Sequence, residues 1–383
     1  MKWSLQIGKV IGIPIRLHVT FLFILILFIY YFAIIEFQIG TMVLGFNGMN
    51  ISLMEKLIFS TIASILFFST ILLHELSHSF VAKRSGLNIQ SITLFVFGGV
   101  AQMEEIPRNP KLELKMAAAG PALSLAIGLI TYALYVYFGP VEVDGIGMTA
   151  KNAVLITAGI ISVYNLVLGI FNLLPAFPMD GGRVLRAFLA LWLPYMDATR
   201  MAVSIGKTFA LLMGIFGLLT VNIMLILIAV FVFYGAQGEE RETFFAISLE
   251  GIKVKDVMTP VQDLIFVPPG WTISQLVEAM FRFKHMGYPV QDGLDRPPLG
   301  IVTFEDVQKV PKQQHDTVQV KDIMTGNIIS VTPETEAYQA LQTIAKHNIG
   351  RLLVIKDGRL NGIITMKDIM RNMQFKHMYP SPD

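Results

Sequence analysis

Long apolar runs dominate the first 240 residues of the chain. Four of them, near 13–35, 57–82, 116–138 and 153–174, are long enough to cross a bilayer as helices, because about 20 apolar residues span its hydrocarbon core. Between Asp197 and Gln237 the chain is apolar for nearly forty residues, with a turn expected near Thr220 to Asn222. This last run predicts two spans, so the pattern predicts about six transmembrane helices.

The positions of the basic residues predict the orientation of these spans. Lys and Arg precede the first span, and they cluster again in 83–115, in 183–200 and after 240, whereas the intervening loops hold only Lys56 and Lys151. Basic loops face the cytoplasm. An even number of spans then leaves both termini and the polar tail in the cytoplasm, while a single span in 197–237 would place the tail outside.

A short segment between the second and third spans has a different pattern. Ser91 to Ala101 is rich in β-branched and aromatic residues and contains the pair Gly98-Gly99, which predicts a strand or hairpin near the membrane. Unpaired backbone is too costly in lipid, so such a hairpin would pack against protein or line a wet cavity. An ordinary cytoplasmic turn is the alternative.

The tail repeats itself. The string Val-Lys-Asp-Val-Met-Thr at 254–259 returns as Val-Lys-Asp-Ile-Met-Thr at 320–325, and Gly-Ile-Val-Thr at 300–303 returns as Gly-Ile-Ile-Thr at 362–365. Two units, about 251–310 and 317–373, therefore follow each other. Runs such as Leu264 to Val267 predict strands and Ile273 to Phe283 predicts a helix, so the units belong to the α/β class.

Composition separates the two parts and limits the chemistry. Only 15% of the 383 residues are charged, against about 25% in an ordinary soluble domain. Residues 1–240 contain 26 of the charged residues and 241–383 contain 32, so a membrane part precedes a water-soluble part. A net charge of +2 without like-charge blocks argues against a nucleic-acid partner. Without cysteine, a metal has to bind histidine and carboxylate side chains.

Ionisable residues interrupt the second apolar run at Leu72-Leu73-His74-Glu75-Leu76-Ser77-His78. Such groups are costly in lipid, and residues four apart share one face of a helix. His74 and His78 can therefore bind one zinc ion while Glu75 acts as a general base on a water molecule. Histidines hydrogen-bonded between spans, or a cation path, are the alternatives.

A catalytic zinc usually has three protein ligands, so a third one is needed. Spans two and four run in the same direction, and the end of span four lies at the depth of His78. Asp180 stands there, after two prolines and before two glycines that permit a tight turn. A turn or cap before Arg183 is its alternative role. The weaker candidates for the third ligand are His18, Glu104 and Glu105.

The membrane half resembles the site-2 proteases, a family of intramembrane zinc metalloproteases. The resemblance rests on His-Glu-x-x-His and on Asn172-x-x-Pro175-x-x-x-x-Asp180-Gly181, with Phe97-Gly98-Gly99 and Ala119-Gly120-Pro121 in support. It implies one zinc ion per chain. It further implies the roles of five residues: His74, His78 and Asp180 as zinc ligands, Glu75 as the base, and Asn172 as a group that holds the substrate or its oxyanion.

The tail resembles a tandem pair of cystathionine-β-synthase (CBS) domains. In that family the Thr and Asp of the repeated Gly-x-x-Thr-x-x-Asp segment contact the ribose and phosphates of an adenine nucleotide, which implies Thr303, Asp306, Thr365 and Asp368 here. The same pattern also caps a helix N-terminus, which is the alternative. The resemblance thus implies a regulatory adenine nucleotide and makes the CBS module a candidate surface for homo-oligomers.

Together these features predict a transmembrane protease domain at 1–240 and a CBS pair at 251–373. The predicted function is zinc-dependent cleavage of transmembrane segments of other proteins within the lipid bilayer, known as regulated intramembrane proteolysis, under nucleotide control. A transporter or channel gated by the CBS pair, with the His and Asp residues as a cation path, is the alternative and predicts transport that survives Glu75→Gln. An inactive scaffold without zinc is a third hypothesis.

Overall fold

The computed structural model describes residues 3–40, 42–96, 98–103, 108–139, 150–293 and 296–378. The chain forms two compact units, Met1–Thr243 and Phe244–Asp383. The helices of the first unit are α1 (Val19–Ile34), α2 (Leu53–Arg84), α3 (Pro110–Phe138), α4 (Ala150–Asn172), α5 (Asp180–Leu189), α6 (Tyr195–Leu219) and α7 (Ile223–Ser248), the last of which extends past Thr243.

Among the described residues, five helices are long and apolar enough to cross a membrane, namely α2, α3, α4, α6 and α7. Helix α1 is apolar but has only 16 residues. The turn predicted between the last two spans is confirmed, because α6 ends at Leu219 and α7 begins at Ile223. Helix α3 packs against α2, α4 and α5, and so lies at the centre of the first unit.

The strands of the first unit are β1 (Ser4–Val10), β2 (Ile13–His18), β3 (Phe37–Ile39), β4 (Met42–Leu44), β5 (Ile89–Phe95) and β6 (Gly98–Met103). Four of them form a sheet in the order β1-β2-β5-β6, and β3 pairs with β4. The hairpin predicted at Ser91 to Ala101 is confirmed as β5 and β6, which pair in antiparallel fashion.

The predicted start of the first span, residue 13, is wrong. Residues 13–18 form strand β2, which pairs in parallel with β5, and the helix begins only at Val19. Ile13 and Ile15 are buried while Pro14 and Arg16, which alternate with them, are not, which is the period-two pattern of a strand with one covered face. The apolar strand and the apolar helix follow each other directly in the sequence, and therefore resemble one long run.

The second unit contains α8 (Val254–Val257), β7 (Thr259–Pro260), α9 (Ile273–Phe283), β8 (Gly287–Val290), β9 (Gly300–Thr303), α10 (Phe304–Gln308), α11 (Val320–Ile323), β10 (Ser330–Val331), α12 (Ala337–His347), β11 (Arg351–Lys356), β12 (Arg359–Thr365) and α13 (Met366–Met378). The helix predicted at Ile273 to Phe283 is confirmed as α9. The strand predicted at Leu264 to Val267 is wrong: between two proline-containing stretches, Val267 forms only an isolated bridge to Val290.

The two repeats of the second unit exchange short segments. Thr259 of the first repeat pairs with Ile363 of the second, and Thr325 of the second bridges to Ile301 of the first. Equivalent residues thus make equivalent contacts in opposite directions, as expected for two copies of one unit related by an approximate twofold axis. This arrangement explains why the Gly-x-x-Thr-x-x-Asp segment and the Met-Thr segment are repeated together.

Candidate metal centre

Three side chains from two distant segments meet near the end of α2. The atoms His74 Nε2 and His78 Nε2 each lie 3.2 Å from Asp180 Oδ2, and the two nitrogen atoms lie 3.2 Å from each other. The histidines are four residues apart on α2, and Asp180 is the first residue of α5. Both histidines are buried. Of the described residues, this is the one group of three potential ligands close enough to hold a metal ion.

The geometry of this group suits a zinc ion. Zn–N and Zn–O distances of about 2.0–2.1 Å in a tetrahedral site place neighbouring ligand atoms about 3.3 Å apart, close to the three separations of 3.2 Å. A carboxylate oxygen and two imidazole nitrogens that converge on one point carry lone pairs that repel each other, and a cation between them removes that repulsion. Nitrogen and carboxylate donors are also the ligands that zinc accepts.

Hydrogen bonds from the opposite ring nitrogens orient both imidazoles. His78 Nδ1 lies 2.7 Å from the Met116 carbonyl oxygen, which can only accept, so Nδ1 carries the proton and Nε2 is free to bind a metal. His74 Nδ1 lies 2.9 Å from Ser124 Oγ. Both partners belong to α3. Such partners of metal-binding histidines fix the ring orientation and the tautomer.

Replacement of Ser124 by alanine should weaken zinc binding about 10- to 100-fold, because the His74 ring loses the group that orients it. Competition with a chelator of known affinity measures the change in purified protein. Ser162→Ala is the matched control, since Ser162 is also buried and also donates a hydrogen bond, to the Gly128 carbonyl at 2.9 Å. Equal zinc affinity in the Ser124→Ala variant and the wild type would contradict the orienting role.

Two glycines allow the backbone to approach the site. A Cβ atom at Gly120 of α3 would lie 2.1 Å from His78 Nε2 and 2.6 Å from His74 Nε2. A Cβ atom at Gly99 of β6 would lie 2.3 Å from Glu75 Cγ. All three distances are far below van der Waals contact, so only glycine fits at either position. The sequence indicated these glycines through the family resemblance, and their packing supplies the physical reason.

Glu75 follows His74 directly on α2 and is half-buried. Its side chain packs against the backbone of β6 at Gly99, and therefore lies between the metal-binding residues and the edge of the sheet. Glu75 is not a member of the three-residue metal group. A carboxylate beside a metal site, but not bound to it, is placed to exchange protons with a reacting water.

The other predicted residues lie as follows. Asn172 is the last residue of α4, and no hydrogen bond to its side chain is formed within the described part of the chain. His18 caps α1, where its Nδ1 lies 2.9 Å from Thr20 Oγ1, and its ring packs on Phe95. His18 is therefore not a member of the metal group. Glu104 and Glu105 lie outside the described residues.

A cleft of about 530 Å³ lies between the two repeats of the second unit. Thr303 and Asp306 line it, together with Lys309 and Arg351. Burial alone would raise the pKa of Asp306, but hydrogen bonds from Thr303 and Lys309 lower it below the usual value, so the carboxylate is charged at neutral pH. Burial lowers the pKa of Arg351, yet arginine stays charged at neutral pH. The cleft thus combines two cations, Lys309 and Arg351, with two carboxylates, Asp306 and Glu305.

Both repeated Thr-Asp pairs form helix caps. Asp306 Oδ2 accepts hydrogen bonds from the backbone and hydroxyl of Thr303 at 3.0 and 2.7 Å, and Asp368 Oδ2 does the same with Thr365 at 3.0 and 2.6 Å. Thr365 and Asp368 do not line the described cleft. The capping alternative is thus realised at both places, and the second oxygen of Asp306, Oδ1, accepts a hydrogen bond from Lys309 Nζ at 2.9 Å.

The fold and the site together define a class of protein, the polytopic membrane metalloproteases that carry an additional α/β module. The family model of peptidase family M50 matches residues 62–215, and the CBS domain model matches 254–312 and 320–374. A zinc metalloprotease of Methanocaldococcus jannaschii is 36% identical over 97% of this chain and 97% of its own. The chain therefore belongs to the M50 family, the site-2 proteases, and is a zinc metalloendopeptidase with a CBS pair.

Solved structures similar to parts of the chain include the site-2 protease of the same organism, 39% identical with a TM-score of 0.41, which covers 62% of this chain and 96% of its own. The CBS protein CBSX2 in complex with AMP is 30% identical with a TM-score of 0.30 and covers 33% of this chain and 99% of its own. The two family models, the metalloprotease relative and the apolar helices of the first unit confirm the predicted family, its membrane fold and its α/β tail.

Proposed function

We propose that this protease cuts transmembrane segments of other membrane proteins within the bilayer, as in regulated intramembrane proteolysis. One observation carries the proposal: the group of His74, His78 and Asp180 lies on and beside α2, a 32-residue helix that is long and apolar enough to cross a membrane. A peptide bond that reaches this group has to come from a segment that enters the membrane. Substrates of that kind are membrane-spanning helices.

His74, His78 and Asp180 would hold the zinc ion. When bound, zinc supplies Lewis-acid polarisation of a carbonyl group and acidifies a water molecule. Glu75 accepts a proton from the attacking water and returns it to the leaving amine, the usual task of a general acid–base catalyst. Asn172, by its place at the end of α4, is proposed to hold the substrate or its oxyanion.

Strand β6 is proposed to hold the substrate in extended form. A helix keeps its own carbonyl groups hydrogen-bonded, so a transmembrane helix has to unwind before hydrolysis. Strand β6 is one edge of the four-stranded sheet, and an edge strand can pair with an added strand. Its Gly99 packs on Glu75, so a peptide bond paired to β6 would come close to the base.

The proposed topology has six spans with both termini and the CBS pair in the cytoplasm. Helix α1 would be the first span, although 16 residues of helix reach only about 24 Å, less than the ~30 Å core. Lys83 and Arg84 in the last turn of α2 then mark the cytoplasmic end of that span. Asp180 and the histidines would lie near this end of the membrane.

The CBS pair is proposed to bind an adenine nucleotide that modulates cleavage. Arg351 is half-buried in the cleft and forms no ion pair within the described residues, so a phosphate would supply the missing anion. The charged Asp306 carboxylate suits ribose hydroxyl groups, which donate, better than phosphate. Thr365 and Asp368 are proposed to serve a second, equivalent ligand. Typical couplings between sites change activity about 5- to 150-fold.

Arg351→Met should weaken nucleotide binding at least about tenfold, because a charged hydrogen bond to phosphate is lost. Calorimetric titration of the full-length protein with ATP, ADP, AMP and S-adenosylmethionine measures this effect, with cleavage assayed in parallel. Arg359→Met is the matched control, since Arg359 is an exposed arginine on the neighbouring strand β12 outside the cleft. If none of the four compounds binds, or if Arg351→Met binds as the wild type does, the nucleotide proposal is wrong.

The cation-path alternative is separated from proteolysis by liposomes that contain both the purified protein and a labelled transmembrane substrate. The proposal expects cleavage that stops after zinc removal and returns when zinc is added, without cation flux. Flux without cleavage would favour the alternative instead.

A further inference from the structure

Among the residues that the structure describes, Arg186 is the largest fully buried side chain, at 1% exposure. It lies near the end of α5, the ten-residue helix that begins with Asp180. Its Nε atom donates to Glu113 Oε1 at 2.9 Å, and Nη2 donates to the same oxygen. Its Nη1 atom donates to Glu239 Oε1 at 2.9 Å and to Thr243 Oγ1 at 3.3 Å. These four hydrogen bonds make the buried guanidinium a junction between helices.

The junction connects α5 to three other helices. Glu113 belongs to α3, and its other oxygen accepts a hydrogen bond from the Tyr195 hydroxyl of α6 at 3.0 Å. Glu239 and Thr243 are four residues apart on α7, so they lie on one face of that helix. The Arg186 guanidinium also packs over the Phe177 ring, 5.0 Å from its centre. We refer to Arg186, Glu113, Glu239 and Thr243 as the Arg186 cluster.

The start of α5 is held as firmly as its end. A Cβ atom at Gly181 would lie 2.2 Å from the Leu174 carbonyl oxygen, and one at Gly182 would lie 2.6 Å from the Phe177 nitrogen. The first turn of α5 therefore presses against the loop that precedes it, while Arg186 anchors the last turn. Because both ends of α5 are held, the helix can neither slide along its axis nor rotate about it. Its placement therefore determines where Asp180 Oδ2 lies.

We propose that Arg186 is a positioning residue for the zinc ligand Asp180, and that Glu239 of α7 sets the position of Arg186. Removal of one partner of a buried ion pair leaves an uncompensated charge, which is strongly unfavourable. If Glu239 moves away with α7, Arg186 has to follow it or turn further toward Glu113, and either movement shifts α5. Asp180 then leaves the point on which the two histidines converge.

Helix α7 continues beyond the Arg186 cluster. The helix extends past Thr243 to Ser248, and its Phe244 and Phe245 pack against the hydrophobic core of the second unit. The same helix thus carries Glu239, which contacts Arg186 in the first unit, and two aromatic residues that belong to the core of the CBS module. The inference rests on the proposed role of Asp180 as a zinc ligand.

Glu239→Gln is the sharpest test, because it keeps the shape of the side chain and removes its charge. Glu240→Gln is the matched control, because it removes the same charge one residue further along α7. Glu240 pairs with Lys207 of α6 at 3.3 Å instead of with a residue of α5. Both variants are prepared as full-length protein. Three quantities are measured: the visible absorption spectrum of the Co²⁺-substituted protein, and kcat and KM for a transmembrane substrate.

We expect Glu239→Gln to alter the Co²⁺ spectrum and to lower kcat about 10- to 100-fold, since a displacement of about 1 Å can cost 100-fold in rate. KM should change less than about twofold, because the substrate contacts remain. Glu240→Gln should leave the spectrum and kcat as in the wild type. Arg186→Lys should keep more activity than Arg186→Met, because lysine retains one ion pair of the cluster.

An unaltered Co²⁺ spectrum and normal kcat in Glu239→Gln would overturn the positioning role, and so would equal losses in Glu239→Gln and Glu240→Gln. Because Arg186→Met removes a buried group and can unfold the protein, the outcome is decided by Glu239→Gln. Failure of the wild type to bind Co²⁺ at all would instead overturn the metal site itself, so the two failures are distinguishable.

Discussion

Glu75→Gln should abolish peptide hydrolysis while zinc stays bound. Glutamine has the shape of glutamate but cannot accept a proton, and general acid–base catalysis contributes about 10²- to 10⁴-fold. The metal group consists of His74, His78 and Asp180, so the change leaves every proposed ligand in place. Cleavage of a transmembrane substrate and zinc content by mass spectrometry, both on the same preparation, measure the two halves of this expectation.

Glu55→Gln is the matched control for this variant. Glu55 is an exposed glutamate on the same helix, in the cap that begins α2 at Ser52, far along the helix from the histidines. The Glu55→Gln variant should cleave the substrate at the wild-type rate. Wild-type cleavage by Glu75→Gln would show that another group handles the proton, whereas loss of both activity and zinc would show that Glu75 serves the metal.

Asp180→Asn should reduce zinc affinity more than about 100-fold. Loss of a hydrogen-bond partner of a ligand already costs 10- to 100-fold, and a change in the ligand itself removes the one anionic donor that faces both histidines. Zinc competition with a chelator measures the change. The control Asp197→Asn removes an exposed carboxylate of α6 that pairs with Arg200, and it should bind zinc normally.

A specific result would contradict the assignment of Asp180 as the third zinc ligand. If zinc occupancy and cleavage both survive Asp180→Asn while a change at His18, Glu104 or Glu105 removes them, the third ligand is one of those residues. The distances of 3.2 Å from Asp180 to both histidines and the capping contacts of His18 argue for Asp180 as the third ligand.

Sequence patterns predicted the parts of the molecule whose cause is local. The histidines of α2 are close because a helix brings residues four apart to one face, and the two repeats of the tail are visible as repeated strings. The turn after Leu219 and helix α9 likewise follow from neighbouring residues. In each case the residues that decide the structure lie within a few positions of each other.

The features that the sequence did not reveal depend on distant partners. Glu113 and Arg186 are 73 residues apart and resemble ordinary charges at the ends of spans, yet they form a buried pair. The predicted first span included strand β2, because a covered apolar strand and an apolar helix have the same composition. Ser124 gives no signal of its own, since a serine in a span acquires its role only from the His74 ring that packs beside it.

The central claim is that the site of α2 cuts peptide bonds inside the membrane. Mass spectrometry of the products, after purified zinc-loaded protein has acted on a single-span substrate in liposomes, locates the bond that is cut. The account predicts one or a few zinc-dependent cuts within the apolar segment of the substrate and none by Glu75→Gln. Cuts confined to the soluble flanks of the substrate, or cuts that persist in Glu75→Gln, would contradict it.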